Sequence, residues 1–149
     1  MLVEAALRNV SVSTVMRPPS EPVHAVLSLQ RLVDERVLTM AERAFLVEDG
    51  QRVIGLITTS DLAKHPRDEW NRTSVQQAMV PTEKVVTVEP HTELLEALKL
   101  MQEHDIHQLP VLDDGRVLGM VTRGDVMRQI ELRAEFRARD AASFPGSGS

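Results

Sequence analysis

One pattern of apolar and polar residues occurs twice along the chain. Residues 52–61 and 116–125 share arginine, valine, glycine, threonine and aspartate at five matching positions, each pair 64 residues apart. In both segments a short apolar run with β-branched residues predicts a buried strand. The threonine at the end of the run and the aspartate three residues later predict the start of a helix. We therefore expect two strand-to-helix corners of the same kind.

The first half of the chain predicts a strand, a helix and a second strand before the first corner. A β-prone stretch covers 23–27, and Ser28 is a candidate cap for a helix over 30–40. The apolar residues of that helix fall on one face, as expected for a helix that covers a core; they are Leu32, Val33, Val37 and Met40. A strand over 44–47 and a polar turn then lead into the duplicated segment.

The second half predicts the same order of elements. A strand covers 85–88, a helix covers 90–104 with Thr92 as its cap, and a strand covers 109–112. Short helices are also predicted at 3–9 and 74–79. The chain thus predicts the order β-α-β-β-α twice.

These elements predict an α/β (α+β) fold of two β-α-β-β-α repeats. Each repeat alone has too few residues to bury a stable core. The economical solution packs the two sheets together about a pseudo-two-fold axis, with the two corners along a shared cleft. The predicted boundaries are a lead-in over 1–9, repeat 1 over 10–65, a linker over 66–73, repeat 2 over 74–132, and a helix extension with a flexible tail over 133–149.

Composition narrows the classes of function. Hydrophobic residues make up 42% of the chain but aromatic residues only 3%, so the core must be aliphatic. The absence of cysteine excludes disulfides and thiolate metal sites and suits a reducing cytoplasm. The net charge of −5, without a basic stripe, argues against nucleic-acid binding. The apolar runs are too short for a membrane span, and residues 1–8 lack the pattern of a signal peptide.

The two corners have the chemistry to bind a nucleotide. A helix that begins after Thr58 or Thr122 presents free backbone N–H groups that suit a phosphate. Asp61 and Asp125 could accept hydrogen bonds from a ribose diol. Apolar residues nearby, such as Phe45 and Val86, could flank a flat base.

The same residues also fit a purely structural function. Thr-x-x-Asp is close to a capping box, which contributes about 0.5–2 kcal/mol to a helix and needs no ligand. The duplication does not separate the alternatives, because a duplicated fold needs duplicated caps.

No pattern of catalytic or metal-binding residues stands out. His104 and His107 are three residues apart but approach a predicted strand, and no His-Glu-x-x-His motif occurs. The nucleophile motif Gly-x-Ser-x-Gly and the phosphate-binding glycine loop are also absent. Trp70, the only tryptophan, is interpreted as an anchor of the linker. We therefore predict no catalytic residue and no metal site.

The motifs resemble those of a CBS domain pair, or Bateman module, over about residues 10–132. The resemblance rests on Leu-Pro-Val at 109–111 and Gly-Met-Val-Thr-x-x-Asp at 119–125, with counterparts at 43–47 and 55–61. It implies frequent homodimers and an adenosyl ligand (AMP, ADP, ATP or S-adenosylmethionine) between the repeats. It also assigns the ribose hydroxyls to Asp61 or Asp125 and places Thr58 or Thr122 near the ribose or phosphate. The residues implied to line the base are Phe45, Leu46, Leu109 and Pro110, where Leu46 replaces the proline usual in the family.

A narrower resemblance rests on residues 10–16, 43–45 and 66–70. They look like the CBS pair attached to site-2-protease-type membrane zinc metalloproteases, whose catalytic motif would lie outside this sequence. The resulting hypothesis is a non-catalytic, cytoplasmic module that senses an adenine nucleotide and regulates an attached or partner protein. The alternative is a dimerisation or docking module without a physiological nucleotide.

Overall fold

Short helices and short strands alternate along the chain. The computed structural model describes residues 2–143, with side chains described over 4–139. The helices are α1 (Leu2–Leu7), α2 (Val12–Val15), α3 (Leu29–Leu32), α4 (Leu38–Met40), α5 (Thr59–Ala63), α6 (Val75–Ala78), α7 (Leu94–His104) and α8 (Arg123–Ser143). The strands are β1 (Val23–His24), β2 (Ala44–Asp49), β3 (Arg52–Thr58), β4 (Val80–Pro81), β5 (Gln108–Asp113) and β6 (Arg116–Thr122). The mixed α/β class is confirmed; the predicted flexible tail over 144–149 lies outside the described residues.

The duplicated segments form two β-hairpins with the same register. β2 pairs antiparallel with β3, and β5 pairs antiparallel with β6. Each hairpin has one irregularity, at Val47/Glu48 and at Val111/Leu112, which are equivalent positions in the two repeats. The sequence repeat is therefore also a structural repeat.

Each hairpin lies between two further extended segments. In the first sheet the order is β1-β2-β3-β4, with β1 parallel to β2 and β4 antiparallel to β3. In the second, Val88 forms a parallel bridge with Val111 of β5, and Arg17 forms an antiparallel bridge with Met120 of β6. The two hairpins thus have the same neighbours, shortened to single bridges in the second case.

The outer neighbour of each hairpin comes from the beginning of the other predicted repeat. Unit 2 comprises Pro19–Val85, and unit 1 combines the residues up to Pro18 with those from Val86 onward. Residues 10–18 were assigned to repeat 1 by sequence but pack in the unit of repeat 2. Residues 74–85 pack in the unit of repeat 1. The initial segments of the two repeats are thus exchanged between the packing units. The boundaries of the repeats themselves remain a sequence prediction.

Each unit has its own aliphatic core. In unit 1 the fully buried core residues from α1, α2, α7 and the hairpin include Leu7, Val12, Leu94, Leu109, Val111 and Val121. In unit 2 they include Leu29, Leu32, Phe45, Val47, Ile57 and Val75. Alternation along each strand places the strand residues of each core on the same face of their hairpin.

The helix predicted over 30–40 forms as α3, a π-helical turn over Val33–Val37, and α4. Ser28 caps it as predicted, because its hydroxyl accepts the backbone N–H of Arg31. The assignment of Met40 to the buried face was wrong, since its side chain is 61% exposed. The π-helical turn shifts the later residues away from the regular 3.6-residue period.

Two other local predictions need correction. The strand predicted over 85–88 is reduced to the bridge at Val88. Thr92 does not cap α7; its hydroxyl accepts the N–H of Glu89, and the helix begins at Leu94. Trp70 is an anchor as predicted, because its indole N–H donates to the carbonyl of His65 and its ring packs on the core of unit 2.

Candidate functional site

The first corner, in unit 2, is a complete capping box at the start of α5. The backbone N–H of Thr58 donates to Asp61 Oδ2 at 2.9 Å, and the Thr58 hydroxyl reaches the same oxygen at 3.1 Å. The Asp61 N–H donates back to Thr58 Oγ1 at 3.4 Å. Asp61 is only 6% exposed. The structural interpretation of Thr-x-x-Asp is therefore correct here, and it uses Oδ2 while leaving Oδ1 outside the cap.

The second corner, in unit 1, repeats this arrangement at the start of α8. The Thr122 N–H donates to Asp125 Oδ2 at 3.2 Å, and the Asp125 N–H donates to Thr122 Oγ1 at 3.1 Å. Asp125 is 5% exposed. Both corners thus present a buried carboxylate with one oxygen committed to the backbone.

The two corners differ at the remaining carboxylate oxygen. Arg17 and Arg128 both contact Asp125 Oδ1, through Nη2 atoms at 3.0 and 2.8 Å. The residue equivalent to Arg128 in the first corner is Lys64, whose Nζ lies 3.8 Å from Asp61 Oδ1.

This asymmetry originates in the strand neighbours. In unit 2 the position that faces the hairpin is occupied by Val80, which pairs with Leu56 of β3. In unit 1 it is occupied by Arg17, which exchanges two backbone hydrogen bonds with Met120 at 2.9 and 2.8 Å. The arginine is thus anchored by its backbone next to the second corner.

A glycine in each hairpin permits this close approach. A Cβ on Gly119 would lie 2.7 Å from the carbonyl oxygen of Arg17. A Cβ on Gly55 would lie 2.6 Å from the carbonyl oxygen of Val80. The glycine shared by the two sequence copies is therefore required by the backbone that crosses it.

The predicted site residues divide between the two units. Phe45 and Leu46 on β2 share unit 2 with Thr58 and Asp61; their strand partners are Ile57 and Leu56. Phe45 belongs to the core and is fully buried, and the Arg36 guanidinium lies 5.1 Å above its ring.

Unit 1 contains the other five predicted residues: Thr122, Asp125, Val86, Leu109 and Pro110. Leu109 belongs to the core, and Val86 packs against it partly buried. Pro110 pairs with Met120, on the same hairpin strands as the corner.

An ion pair in unit 2 holds the arginine above Phe45. Arg36 donates to both carboxylate oxygens of Glu42, at 2.8 and 3.1 Å, and to the carbonyl of Glu21. These hydrogen bonds lower the pKa of Glu42, against an opposing effect of burial, and raise the pKa of Arg36.

Sequence reasoning missed the cations at the corners. Lys64 and Arg128 had a detectable signal, since each follows its aspartate by three residues and is therefore a neighbour on the same helix face. Arg17 had none, because 108 residues separate it from Asp125.

The chemistry available at the corners is hydrogen bonding and charge. The carboxylate oxygens can accept donors, and the cations of the second corner suit an anion. Within residues 4–139 no three histidine, aspartate or glutamate side chains come together to hold a metal ion. No described helix has the length and apolar character needed to cross a membrane.

The chain matches a known protein family over its second half. Residues 75–132 match the CBS domain family. This segment is a CBS domain, as its motifs predicted, and the similar solved structures, which cover 79–87% of this chain, include a CBS domain pair.

Solved structures with this fold include three that contain nucleotides or related ligands. CBSX2 in complex with AMP has a TM-score of 0.65 at 23% identity, covering 79% of this chain and 94% of that one. The CBS domain of a bacterial CNNM/CorC family Mg²⁺ transporter in complex with ATP has a TM-score of 0.70 at 21% identity, with coverage of 86% and 92%. The CBS domain pair of protein MJ0100, in complex with 5′-methylthioadenosine and S-adenosyl-L-methionine, has a TM-score of 0.64 at 24% identity, with coverage of 79% and 93%.

Curated relatives carry the matching segment within longer chains. A homoserine O-acetyltransferase of Methanohalobium evestigatum is 35% identical over 104 residues, which are 66% of this chain and 20% of that protein. The mitochondrial CBS domain-containing protein CBSX3 of Arabidopsis thaliana is 33% identical over 96 residues, with coverage of 61% and 47%. A candidate zinc metalloprotease of Synechocystis sp., sll0528, is 22% identical over 120 residues, with coverage of 78% and 32%. The chain therefore spans between a fifth and a half of these relatives.

Proposed function

We propose that this chain is a regulatory module that binds an adenosine-containing ligand at its Thr/Asp corners. The observation that carries the proposal is the buried carboxylate of Asp61. Its Oδ2 accepts two hydrogen bonds in the cap, whereas the ion-pair partner of Oδ1 among residues 4–139 is the Lys64 ammonium at 3.8 Å. An oxygen in that state retains both lone pairs for hydroxyl donors such as those of ribose.

The fold supports the choice of ligand. Neighbours of the same architecture hold AMP, ATP or S-adenosyl-L-methionine in their solved structures. A ligand that differs in affinity for two conformations shifts the balance between them, which is the physical basis of regulation by such a module. The module itself supplies binding rather than catalysis.

The relatives support attachment of this module to other proteins. The same segment accompanies an acetyltransferase in one relative and occurs in a candidate zinc metalloprotease in another. We propose a cytoplasmic module that regulates an attached or partner domain, and a site-2-protease-type membrane metalloprotease is the attached enzyme we favour. Its candidate relative matches over 78% of this chain.

The test is thermal and chemical unfolding with adenosine, AMP, ADP, ATP and S-adenosylmethionine. A ligand at about 100 times its dissociation constant should raise the free energy of unfolding by roughly 2.7 kcal/mol. Asp61→Asn should reduce this gain, because the amide keeps an oxygen for the Thr58 N–H but loses the charge that strengthens hydrogen bonds from ribose.

Asp114→Asn is the matched control. Asp114 lies in the exposed hairpin turn with φ of 52°, a conformation that asparagine adopts readily. It should leave the gain unchanged. The proposal fails if no ligand stabilises the parent, or if Asp61→Asn and Asp125→Asn both retain the full gain.

Dimerisation without a nucleotide is the second candidate, and one observation favours it. Leu38 and Met40 on α4 are 72% and 61% exposed, and Val26 is exposed in the same unit. Two strongly exposed apolar side chains on one short helix suit an interface with another chain. Sedimentation of the parent and of Leu38→Asp/Met40→Asp tests it, since a dimer through this surface should dissociate in the variant.

A further inference from the structure

We propose that Arg17 is an internal competitor for ligand at the Asp125 corner, so that the two equivalent corners have unequal affinity. The inference rests on the proposed function and adds which corner is filled first. The guanidinium of Arg17 occupies the carboxylate oxygen that a ribose hydroxyl would need. The Asp61 corner, which has no equivalent arginine, is then the high-affinity site.

The hydrogen-bond capacity of the two carboxylates carries the first step. A carboxylate oxygen accepts about two hydrogen bonds. Asp125 Oδ1 accepts a hydrogen bond from Nη2 of Arg128 at 2.8 Å and forms an ion pair with Nη2 of Arg17 at 3.0 Å, so two guanidinium groups cover it. Among the residues with described side chains, the cation at Asp61 Oδ1 is Lys64, whose Nζ lies 3.8 Å away, beyond hydrogen-bonding distance.

The source of the arginine carries the second step. Arg128 and Lys64 occupy the same place one turn after their aspartates, so a cation there is common to both corners. Arg17 has no such counterpart, because its place beside the other hairpin is taken by Val80. Arg17 is therefore the residue that makes the corners different.

The exposure of the two partners carries the third step. Asp125 is only 5% exposed, whereas the side chain of Arg17 is 63% exposed. The arginine can therefore swing into solvent with its backbone fixed by Met120, while the carboxylate keeps its place in the cap. A ligand can bind at this corner only when the arginine has moved away. Its apparent association constant is therefore the intrinsic value multiplied by the fraction of time that the arginine is displaced.

Calorimetric titration with adenosine tests this, in an Asp61→Asn background so that only the Asp125 corner reports. Adenosine has no phosphate, so attraction between arginine and phosphate does not contribute. Arg17→Val copies the residue of the other unit and should tighten adenosine binding about tenfold, if the guanidinium is in place nine-tenths of the time. Adding Arg128→Lys, which completes the copy, should preserve that gain.

The control is Arg116→Val, which removes the same charge from an exposed position at the opposite end of the same hairpin. It should leave adenosine affinity unchanged. The stoichiometry of the Arg17→Val protein without the Asp61 substitution gives a second measurement, because it should rise from one high-affinity equivalent in the parent to two.

The remaining outcomes overturn the proposal. If Arg17→Val binds adenosine no more tightly, while the parent still binds at the Asp61 corner, competition by Arg17 is refuted and the proposed function stands. Weaker AMP binding with unchanged adenosine binding means that Arg17 binds phosphate instead. If neither the parent nor any variant binds adenosine or AMP, the proposed function itself is wrong and competition is refuted with it.

Discussion

The carboxylate of Asp61 accepts both the backbone N–H and the hydroxyl of Thr58, at 2.9 and 3.1 Å, at the point where β3 becomes α5. Asp61→Ala removes both hydrogen bonds and should lower the free energy of unfolding by about 0.5–2 kcal/mol without any ligand. Urea denaturation of the two proteins measures the difference. Thr58→Ser retains the hydroxyl and should stay close to the parent; equal losses in both variants would contradict the capping account.

Gly55 is required by the backbone of Val80, which would lie 2.6 Å from a Cβ at this position. Gly55→Ala should therefore destabilise the protein by about 1–3 kcal/mol, because the backbones must separate. Gly124→Ala is the matched control, since its Cβ would have its nearest neighbour at 3.7 Å and alanine favours a helix. Denaturation midpoints should fall for the first variant and stay equal or rise for the second.

Acid should weaken unit 2 through the ion pair of Glu42 with Arg36. The pKa of Glu42 lies below its ordinary value of 4.5 in the folded protein, chiefly because Arg36 donates hydrogen bonds to its carboxylate. The unfolded chain therefore takes up this proton first, so the contribution of the pair is complete above pH 4.5 and is lost as the pH falls through the lower folded pKa. Denaturation between pH 7 and pH 3 should show Glu42→Gln with a shallower acid decline than the parent.

Glu35→Gln provides the comparison for this pH series. Its partner Arg31 lies on the exposed face of the same helical segment, where an ion pair contributes little. The acid decline of this variant should match that of the parent. A decline in Glu42→Gln as steep as in the parent would mean that other carboxylates dominate.

Leu7 tests the assignment of the lead-in to unit 1. Its side chain is fully buried in the core of that unit, and Leu7→Ala should cost about 2–5 kcal/mol. Hydrogen exchange should show the larger loss of protection in β5 and β6. Leu29→Ala, equally buried in unit 2, should show it in β2 and β3. The opposite distribution would contradict the exchanged packing.

The duplicated hairpins, both corners and the cap at Ser28 could be predicted because their signals are local. A strand has period-two alternation, and a cap lies within four residues of the groups it binds. The same local reasoning failed at Thr92, where the threonine fits two adjacent turns and only the packing of Leu94 decides between them. The exposure of Met40 could not be predicted either, because the π-helical turn before it changes the number of residues per helical turn.

The pairing of Arg17 with Asp125 could not be predicted, since it depends on which hairpin residues 10–18 join. Residues 10–18 and 74–81 are similar in pattern, and either could in principle cross either glycine. The choice is made by the fit of whole cores, which no short window of sequence contains. The proposed difference between the two corners depends on a long-range contact of this kind.

Because unit 2 is a continuous segment and unit 1 is not, the two are completed at different times during synthesis. Every residue of unit 2 has been made once translation reaches Val85, so this unit can fold while the ribosome is still working. The residues before Pro19 emerge ahead of unit 2 yet wait several seconds for their partners, at about 5–20 residues per second. Nascent chains halted once Val85 has cleared the ribosome exit tunnel should therefore have unit 2 protease-resistant and the segment before Pro19 exposed.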